Sequence, residues 1–421
     1  MSEWVEKPLD KLVSFKKGRK VETSDLQLDG FLPYLGASSL TGGEDGFALP
    51  SGGISCVASD ALMLWDGERS GLVGPGKSGV ISSTVMRLRP EAEMTGRYLV
   101  HCLRDRFEWI QARRTGTGVP HVPKDLGRIL ELRFPEAELE QNTICNILDA
   151  LDTQIEATEG LIAKQERVRA GLMQDLFTRG VDEHGQLRPP RHQAPHLYHQ
   201  TELGWLPVGW KLSRLKDHSP LSGSHLKTGP FGSALKIEHW VDQGWPVITI
   251  GSLGEGILDR SELLYVSDET AKRLWAYQLI PGDVVFSRVA DVGRSVVIGQ
   301  ENNGWIMSSN LMRIRLDWKN IRATYLHLQL SFDAVLRNQI RRSINSGGRD
   351  VANAAILNAL KFAWPLTDEQ DRICEIAQTL ETETEKRKAA LLKLRLQKSG
   401  LMQDLLTGKV SVAPLLEQVA A

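Results

Sequence analysis

Residues 171–181 read GLMQDLFTRGV and residues 400–410 read GLMQDLLTGKV, identical at eight of eleven positions across an offset of 229. The same offset pairs Gln141 with Gln370, Ile144 with Ile373, Cys145 with Cys374, Ile147 with Ile376 and Leu151 with Leu380. Just upstream, Phe134-Pro135 answers Trp364-Pro365. Agreement on this scale marks a duplication, and a duplication constrains the architecture before any local pattern is read. A chain of 421 residues is long enough for two or more globular units. The fold must therefore place two related units in one chain.

The most similar stretch of each copy predicts a long helix. From Leu139 to Thr178 there is no proline, and Ile144, Ile147, Leu148, Leu151, Ile155, Ile162, Leu172 and Leu176 recur at three- and four-residue steps. In the second copy Ile373, Ile376, Leu380, Leu391, Leu394, Leu401 and Leu405 do the same, after Pro365 and Asp368 and before Gly408. Such spacing lines one helix face. Each helix is expected to run about 38 residues, or ~57 Å at 1.5 Å per residue, a length that calls for a partner. Gln165, Glu383 and Gln397 fall on or near the seam. A short two-helix coiled coil is expected, its packing residues being those named here.

Ahead of each helix the chain is rich in Gly, Val, Ile, Ser and Trp, with short strand-like runs such as residues 61–65, 246–250 and 283–286. Helical stretches at 95–113 and 322–342 follow late in each segment. The expected class is α+β: two mixed α/β domains separated by a long antiparallel two-helix coiled coil, with pseudo-two-fold symmetry from the duplication. The expected boundaries are 1–138 for the first domain, 139–180 for its helix and 181–203 for a proline-containing linker. The second domain then spans 204–364, its helix 365–408 and a tail 409–421. Outside the helices the two copies share little beyond Trp4…Leu9 against Trp210…Leu215.

The formal net charge of −1 speaks at first against a polyanionic partner. Counted by segment it reads differently. Residues 204–364 hold 19 Lys+Arg against 14 Asp+Glu, while residues 1–140 hold 18 against 20. The second domain alone is basic enough to attract a phosphate backbone. Lys16, Lys17, Arg19 and Lys20 offer a local set in the first. No apolar run approaches the ~20 residues of a membrane span, and the first ten residues lack a secretory signal's apolar core. Cys56, Cys102, Cys145 and Cys374 form no CxxC pair, so neither a zinc ribbon nor a disulfide framework is expected; a reducing cytoplasm fits.

Catalytic motifs are sparse. Residues 71–78 match GxxxxGK[ST], but that chemistry needs a buried strand before the loop and a helix after it. Here Val80-Ile81 and Val85 favour strand on the far side, so a Gly-rich turn is expected, with Lys77 free to touch a phosphate. His184, His192, His196 and His199 lie in a proline-broken stretch and are read as polar linker residues, with no metal site. Arg113-Arg114 before a Gly/Thr loop and Arg341-Arg342 before a Ser/Asn/Gly loop look built for contact, as does the hairpin carrying Arg288 and Arg294. Arginine clamps phosphate or reads guanine, and Asn and Ser read bases or position the backbone. The candidate DNA contacts are Arg69, Lys77, Arg113, Arg114, Thr117, Lys124, Lys227, Arg288, Arg294, Arg341, Arg342, Asn345 and Arg349. No catalytic residue is expected.

The chain resembles the specificity subunit of a Type I restriction–modification system over nearly its whole length. The resemblance rests on the repeated GLMQDL-[FL]-T motif with its helix, on LRPP…APHLY…LGWLPVGW (187–210) and on GDVVFSRVADVGRSVV (282–297). Ser82-Ser83-Thr84 ahead of Val85…Leu88, and Ser308-Ser309-Asn310 ahead of Leu311…Ile314, also fit it. The resemblance implies that the two domains are target recognition domains, each reading one half of a bipartite, asymmetric DNA sequence, with the helices as spacer. It further implies two modification subunits that use S-adenosylmethionine to methylate a flipped adenine, and restriction subunits that use ATP and Mg for translocation and cleavage. This chain would hold no cofactor, and would serve phage defence by directing its partners to double-stranded DNA in the cytoplasm. Two other readings stay open: a non-DNA coiled-coil scaffold joining two protein-binding domains, and an enzyme using the Gly71–Ser78 loop.

Overall fold

The computed structural model describes residues 3–91, 93–116, 118–231, 234–254, 257–289, 292–345 and 351–420. The two apolar stripes form single helices, Glu138–Thr178 and Thr367–Leu406. The chain divides into two compact units, one of Met1–Leu161 with Arg387–Ala421 and the other of Ile162–Lys386. Each unit thus takes the beginning of one long helix and the end of the other.

Within the first unit, Ile144, Cys145 and Leu148 share a core with Leu405 and Leu406. Glu159 pairs with Arg395 at 2.7 Å, and Asp152 pairs with Lys398. Later residues of one helix meet earlier residues of the other, so the two segments run antiparallel. In the second unit Met173, Leu176 and Phe177 share a core with Ile373 and Ala377, and Arg169 pairs with Glu381, again antiparallel. Of the packing residues read from the sequence, Ile144, Leu148, Ile155, Ile162, Leu176, Ile373 and Leu405 are buried. Leu151, Leu172, Ile376, Leu380, Leu391, Leu394 and Leu401 are half-buried. The copies of GLMQDL therefore exchange places: each closes the core that surrounds the other repeat's helix start.

The variable segments share a topology that their sequences hide. In the first unit Val13–Lys17, Val85–Pro90, Ala61–Leu64 and Val73–Pro75 form an antiparallel sheet in that order. In the second, Leu226–Thr228, Leu311–Ile314, Val284–Ser287 and Ser295–Val297 repeat it. A second sheet packs beside each, with one parallel pair: Leu32–Leu35 on Gly79–Ile81, and Trp245–Ile248 on Ile306–Met307. The expected helical stretches are each broken once, into Gly96–Asp105 and Phe107–Gln111, and into Ala323–Phe332 and Ala334–Asn345. At the second break Asp333 turns the chain and accepts the amides of Val335 and Leu336. Tyr98 and Tyr325 sit at matching helix positions, both without exposure.

One polar side chain couples each long helix to its domain. Gln141, fully buried, accepts the amide of Thr95 through Oε1 (2.9 Å) and donates to the carbonyls of Glu93 and Pro135 (2.8 and 3.0 Å). Gln370 accepts the amide of Arg322 (2.8 Å) and donates to Asn320 and Pro365 (3.1 and 2.9 Å). Thr95 and Arg322 each cap the following helix, so a single amide ties that cap, the last strand and the long helix together.

The segment between the repeats is ordered. Arg188 forms a two-pronged pair with Glu369, which also accepts the Val181 amide at 2.9 Å. Tyr198 donates its hydroxyl to Pro189, and Tyr198–Thr201 pairs with Gly204–Pro207. Polar composition there reflects hydrogen bonding within the second unit and not a slack tether.

Replacing Gln141 by Leu strips the part-buried Thr95 amide and Glu93 carbonyl and the buried Pro135 carbonyl of their partner, at up to ~1–3 kcal/mol for each stranded group. Urea unfolding of Gln141→Leu is expected to show a loss of about 3 kcal/mol, and Gln370→Leu a similar one. A loss under about 1 kcal/mol would show that the amide is not a structural tie.

Candidate nucleic-acid interface

The central strand of each main sheet ends in a node where loops from distant parts of the sequence meet. In the first unit that node is Trp65. Its amide donates to Thr84, and its carbonyl accepts the amide of Val122. The loop that follows is held on several sides. Asp66 lies between Lys17 (2.7 Å) and His121 (2.8 Å), and the Gly67 amide donates to Pro120. Gln111 donates to the Ser70 carbonyl at 2.5 Å, and Arg114 donates to Glu68 at 2.6 Å. Strand exit, hairpin loop and post-helix loop are thereby clasped together, and Arg69, Arg113, Arg114, Lys17 and His121 share one rim. Arg69 and Arg113 are exposed, and the Arg113 guanidinium stacks on Trp109 at 3.9 Å.

In the second unit the node is Arg288. Its amide donates to Asn310 and its carbonyl accepts the Ala352 amide, the same two bonds that fix Trp65. Its side chain lies half-buried over the exposed ring of Phe231 at 5.1 Å, with Nη1 and Nε near the carbonyls of Ser309 and Ala352 at 3.4 Å. Burial lowers its pKa. Arg294 immediately precedes the returning strand, and its carbonyl accepts the Ser287 amide at 2.7 Å. Gly293, at a φ of 114°, makes the reversal that a side chain at this position would strain.

The other candidates are spread more widely. Lys124 is exposed three residues beyond His121. Lys77 is also exposed, but at the opposite end of the central strand, where Ala61 pairs with Pro75. Four residues at ~3.3 Å each separate it from the Arg69 rim. The Gly71 and Gly76 amides are committed to the carbonyls of Leu64 and Asp60, and residues 73–75 are themselves a strand, so the GxxxxGKS match forms no amide cradle. Arg341 and Arg342 are exposed on the Ala334–Asn345 helix, whereas Arg113 and Arg114 follow the end of theirs; the two Arg pairs are not equivalent. Lys227 is half-buried over the Tyr277 ring at 4.8 Å. Thr117 and Arg349 lie outside the described residues, as does the side chain of Asn345.

Toward the far end of the same central strand from each node lies a charge cluster that local sequence patterns do not reveal. Asp60, with a buried side chain, is gripped by Arg89 through two bonds of 2.7 and 2.9 Å, and Asp283 by Arg315 through two of 2.6 Å. Arg87 and Arg313 stand two residues before these arginines on the same strand face. The signal was present in the alignment of Ser82-Ser83-Thr84-Val85-Met86-Arg87-Leu88-Arg89 with Ser308-Ser309-Asn310-Leu311-Met312-Arg313-Ile314-Arg315.

His101, Asp149 and Asp152 gather their ligand atoms within 4.8 Å, the one such group among the described residues. Arg97 holds Asp149 at 2.5 Å, while Arg104 and Lys398 hold Asp152. Burial outweighs Asp149 and lowers the His101 pKa. Cations already occupy the carboxylates, and the group is an ion-pair network joining helix to domain.

Burial alone would raise the Asp60 pKa, but hydrogen bonding to Arg89 and to the Val57 amide brings it below the usual carboxylate value. A depressed folded pKa gives stability that is present above the unfolded value of about 3.9 and is lost as pH falls through the folded one. Asp60→Asn is expected to cost about 2–3 kcal/mol at pH 7, with the deficit shrinking below about pH 4. An equal deficit at pH 7 and pH 3 in thermal melts would show that charge plays no part.

Residues 1–167 and 207–394 match the model of the Type I restriction modification DNA specificity domain. The chain is similar to the Type I restriction enzyme MjaVIII specificity subunit of Methanocaldococcus jannaschii, at 24% identity over 98% of this chain and 94% of that one. It is also similar to the putative Type I restriction enzyme MjaX specificity subunit of the same organism, at 23% over 50% of this chain and 48% of that one. The fold is that of the S subunit of a Type I restriction–modification system from M. genitalium, with a TM-score of 0.60 over 96% of both chains at 18% identity.

Proposed function

Because the chain belongs to the Type I restriction–modification DNA specificity family, we propose that its two units are the readers of a bipartite DNA target, each addressing one half. The observation that carries this reading is the duplicated sheet whose nodes differ: Trp65 in one unit and Arg288 in the other, on the same backbone bonds. Equal frameworks with unequal strand exits, a core-packed Trp65 against a half-buried Arg288, suit a target whose halves differ in sequence. Lys and Arg on the rims would place each unit against phosphates, and loop side chains would read base edges in the major groove.

The long helices supply the spacer, and the number of unread base pairs follows from their length, under one ~10.5 bp turn. No side-chain constellation in this chain is assigned a catalytic role. In this reading two modification subunits bring S-adenosylmethionine and flip the adenine, and restriction subunits bring ATP and Mg. The assembly works in the cytoplasm on double-stranded DNA, and no helix among the described residues is long and apolar enough to cross a membrane. A chain of net charge −1 is expected to bind duplex weakly alone and to borrow charge from its partners.

Single-molecule sequencing of methylated adenines in a host carrying the system is expected to reveal one bipartite motif. Its absence, with the modification subunit expressed, would count against the reading. Inserting four residues at matching positions of both helices is expected to change the gap and leave both half-sites intact. An unchanged gap would show that the helices do not set it.

A further inference from the structure

The same four charges stand at the same four places in both units. Arg87 lies directly opposite Lys16 on the neighbouring antiparallel strand, and Arg313 directly opposite Lys227. Directly opposed residues point to the same sheet face, and like charges there are destabilising. Two residues on, Arg89 and Arg315 share that face but are neutralised by Asp60 and Asp283. Each cluster therefore carries two cations beyond what its carboxylate cancels.

The buried member of each pair is under-satisfied. Arg87 and Arg313 are only 7% and 6% exposed. Arg87 donates once to the Ser55 carbonyl (2.8 Å) and Arg313 once to Ser224 (3.1 Å), yet the Nε of each is buried without a partner. Among the described residues no carboxylate lies within ion-pair distance of Arg87, Arg313, Lys16 or Lys227. Asp60 and Asp283 act on Arg87 and Arg313 only from beyond contact, and Arg89 and Arg315 already hold those carboxylates; a buried guanidinium with no carboxylate in contact is costly, and an unsatisfied buried donor asks for a missing partner. In the second unit burial, and then the Arg313 and Arg315 charges, lower the Lys227 pKa, so these cations do feel one another.

The clusters lie along the strands that lead to the nodes: Lys16 and Arg87 stand level with Leu62, three residues before Trp65, and Lys227 and Arg313 level with Val285, three before Arg288. One residue past Lys17 and Thr228, Gly18 and Gly229 pass so close to the carbonyls of Ser82 and Ser308 that a Cβ has no room. Their amides donate to Val85 and Leu311. The strand carrying each lysine is thus pinned over the turn that supports Trp65 or Arg288.

We infer that each unit has a built seat for one singly charged tetrahedral oxyanion, formed by Lys16 with Arg87 and by Lys227 with Arg313, and that its occupant is a backbone phosphodiester of the bound duplex. The inference rests on the DNA-reading assignment above. It divides the work within each unit: a matching, sequence-neutral anchor lies on the strands, three residues along from an exit that differs between the units.

The test uses the chain assembled with its modification subunit, comparing the wild type with Lys16→Gln and Lys227→Gln on cognate and scrambled duplexes across a salt series. Each substitution is expected to lower the slope of log affinity against log salt by ~0.9, and to weaken both duplexes by the same factor, about 5- to 10-fold. Because each also removes a like-charge contact, the melting temperature of the free chain is expected to hold or rise. Binding and stability moving in opposite directions would distinguish an anchor from a structural pair. Unchanged slopes with wild-type binding intact would overturn the seat while leaving the reading assignment standing. Absence of salt-dependent duplex binding by the wild-type complex would instead remove the assignment itself. Inorganic phosphate at matched ionic strength separates the sources. Phosphate stabilisation that is weak in the wild type and absent in the variants supports a phosphodiester seat. Millimolar or tighter binding of free phosphate, undisturbed by duplex, would overturn the DNA occupant.

Discussion

Everything in each unit hangs on a buried side-chain amide at the start of its long helix. Gln141 and Gln370 satisfy one backbone amide and two carbonyls apiece, where the last strand, the long helix and the capped domain helix converge. Both amides are fully buried, so each can serve only these backbone groups, and the groups that face it lose their partner if it is removed. A reading domain held by apolar contact alone could slide on its helix. Directional bonds to three separate segments fix its angle and register. For a protein whose task is to present loops to a duplex at a set place, that fixing matters more than the energy involved.

The reciprocal exchange of helix ends follows from the duplication. A single stripe of Ile and Leu forty residues long cannot be buried by the domain at its own start. Leu176 and Phe177 finish a core built from the second domain, and Leu405 and Leu406 one built from the first. Neither repeat is a folding unit in isolation, since each lends its last turns to the other's core. This explains why the helix motif stayed similar in both copies while the domain surfaces diverged: each motif must fit a partner of its own kind.

Within the domains the same logic divides frame from surface. Asp60 with Arg89 and Asp283 with Arg315 lock the central strands, and Gly18 and Gly229 lock the edge strands, at positions where other residues would clash or strand a charge. At the other end of those strands the nodes share their backbone bonds but not their side-chain setting: Trp65 is packed into the core against Phe15, and Arg288 lies half-buried over Phe231. Trp65 and Arg288 differ in charge, size and hydrogen-bonding capacity, yet occupy the same pair of backbone bonds. The same sheet pairing thus ends in two different side chains in the two units.

By itself the sequence determined the duplication, the two helices with their packing stripes, the α+β class and the family, because periodicity and near-identical motifs are local and survive without a fold. It also marked Arg113, Arg114, Arg288 and Arg294 as contact-prone, since Arg beside Gly-rich loops is a compositional signal. What it left open was decided by contacts between distant residues. That Arg69 and Arg114 share a rim depends on Gln111 reaching Ser70 and Arg114 reaching Glu68, across more than forty residues. That Arg341 and Arg342 are helical, unlike Arg113 and Arg114, depends on where Asp333 caps the new helix. The facing of Lys16 on Arg87 and of Lys227 on Arg313 is a matter of strand register, and register is set by pairing partners that lie some seventy to ninety residues away. Local patterns are written in neighbouring residues; electrostatic surroundings are made only when the chain closes on itself.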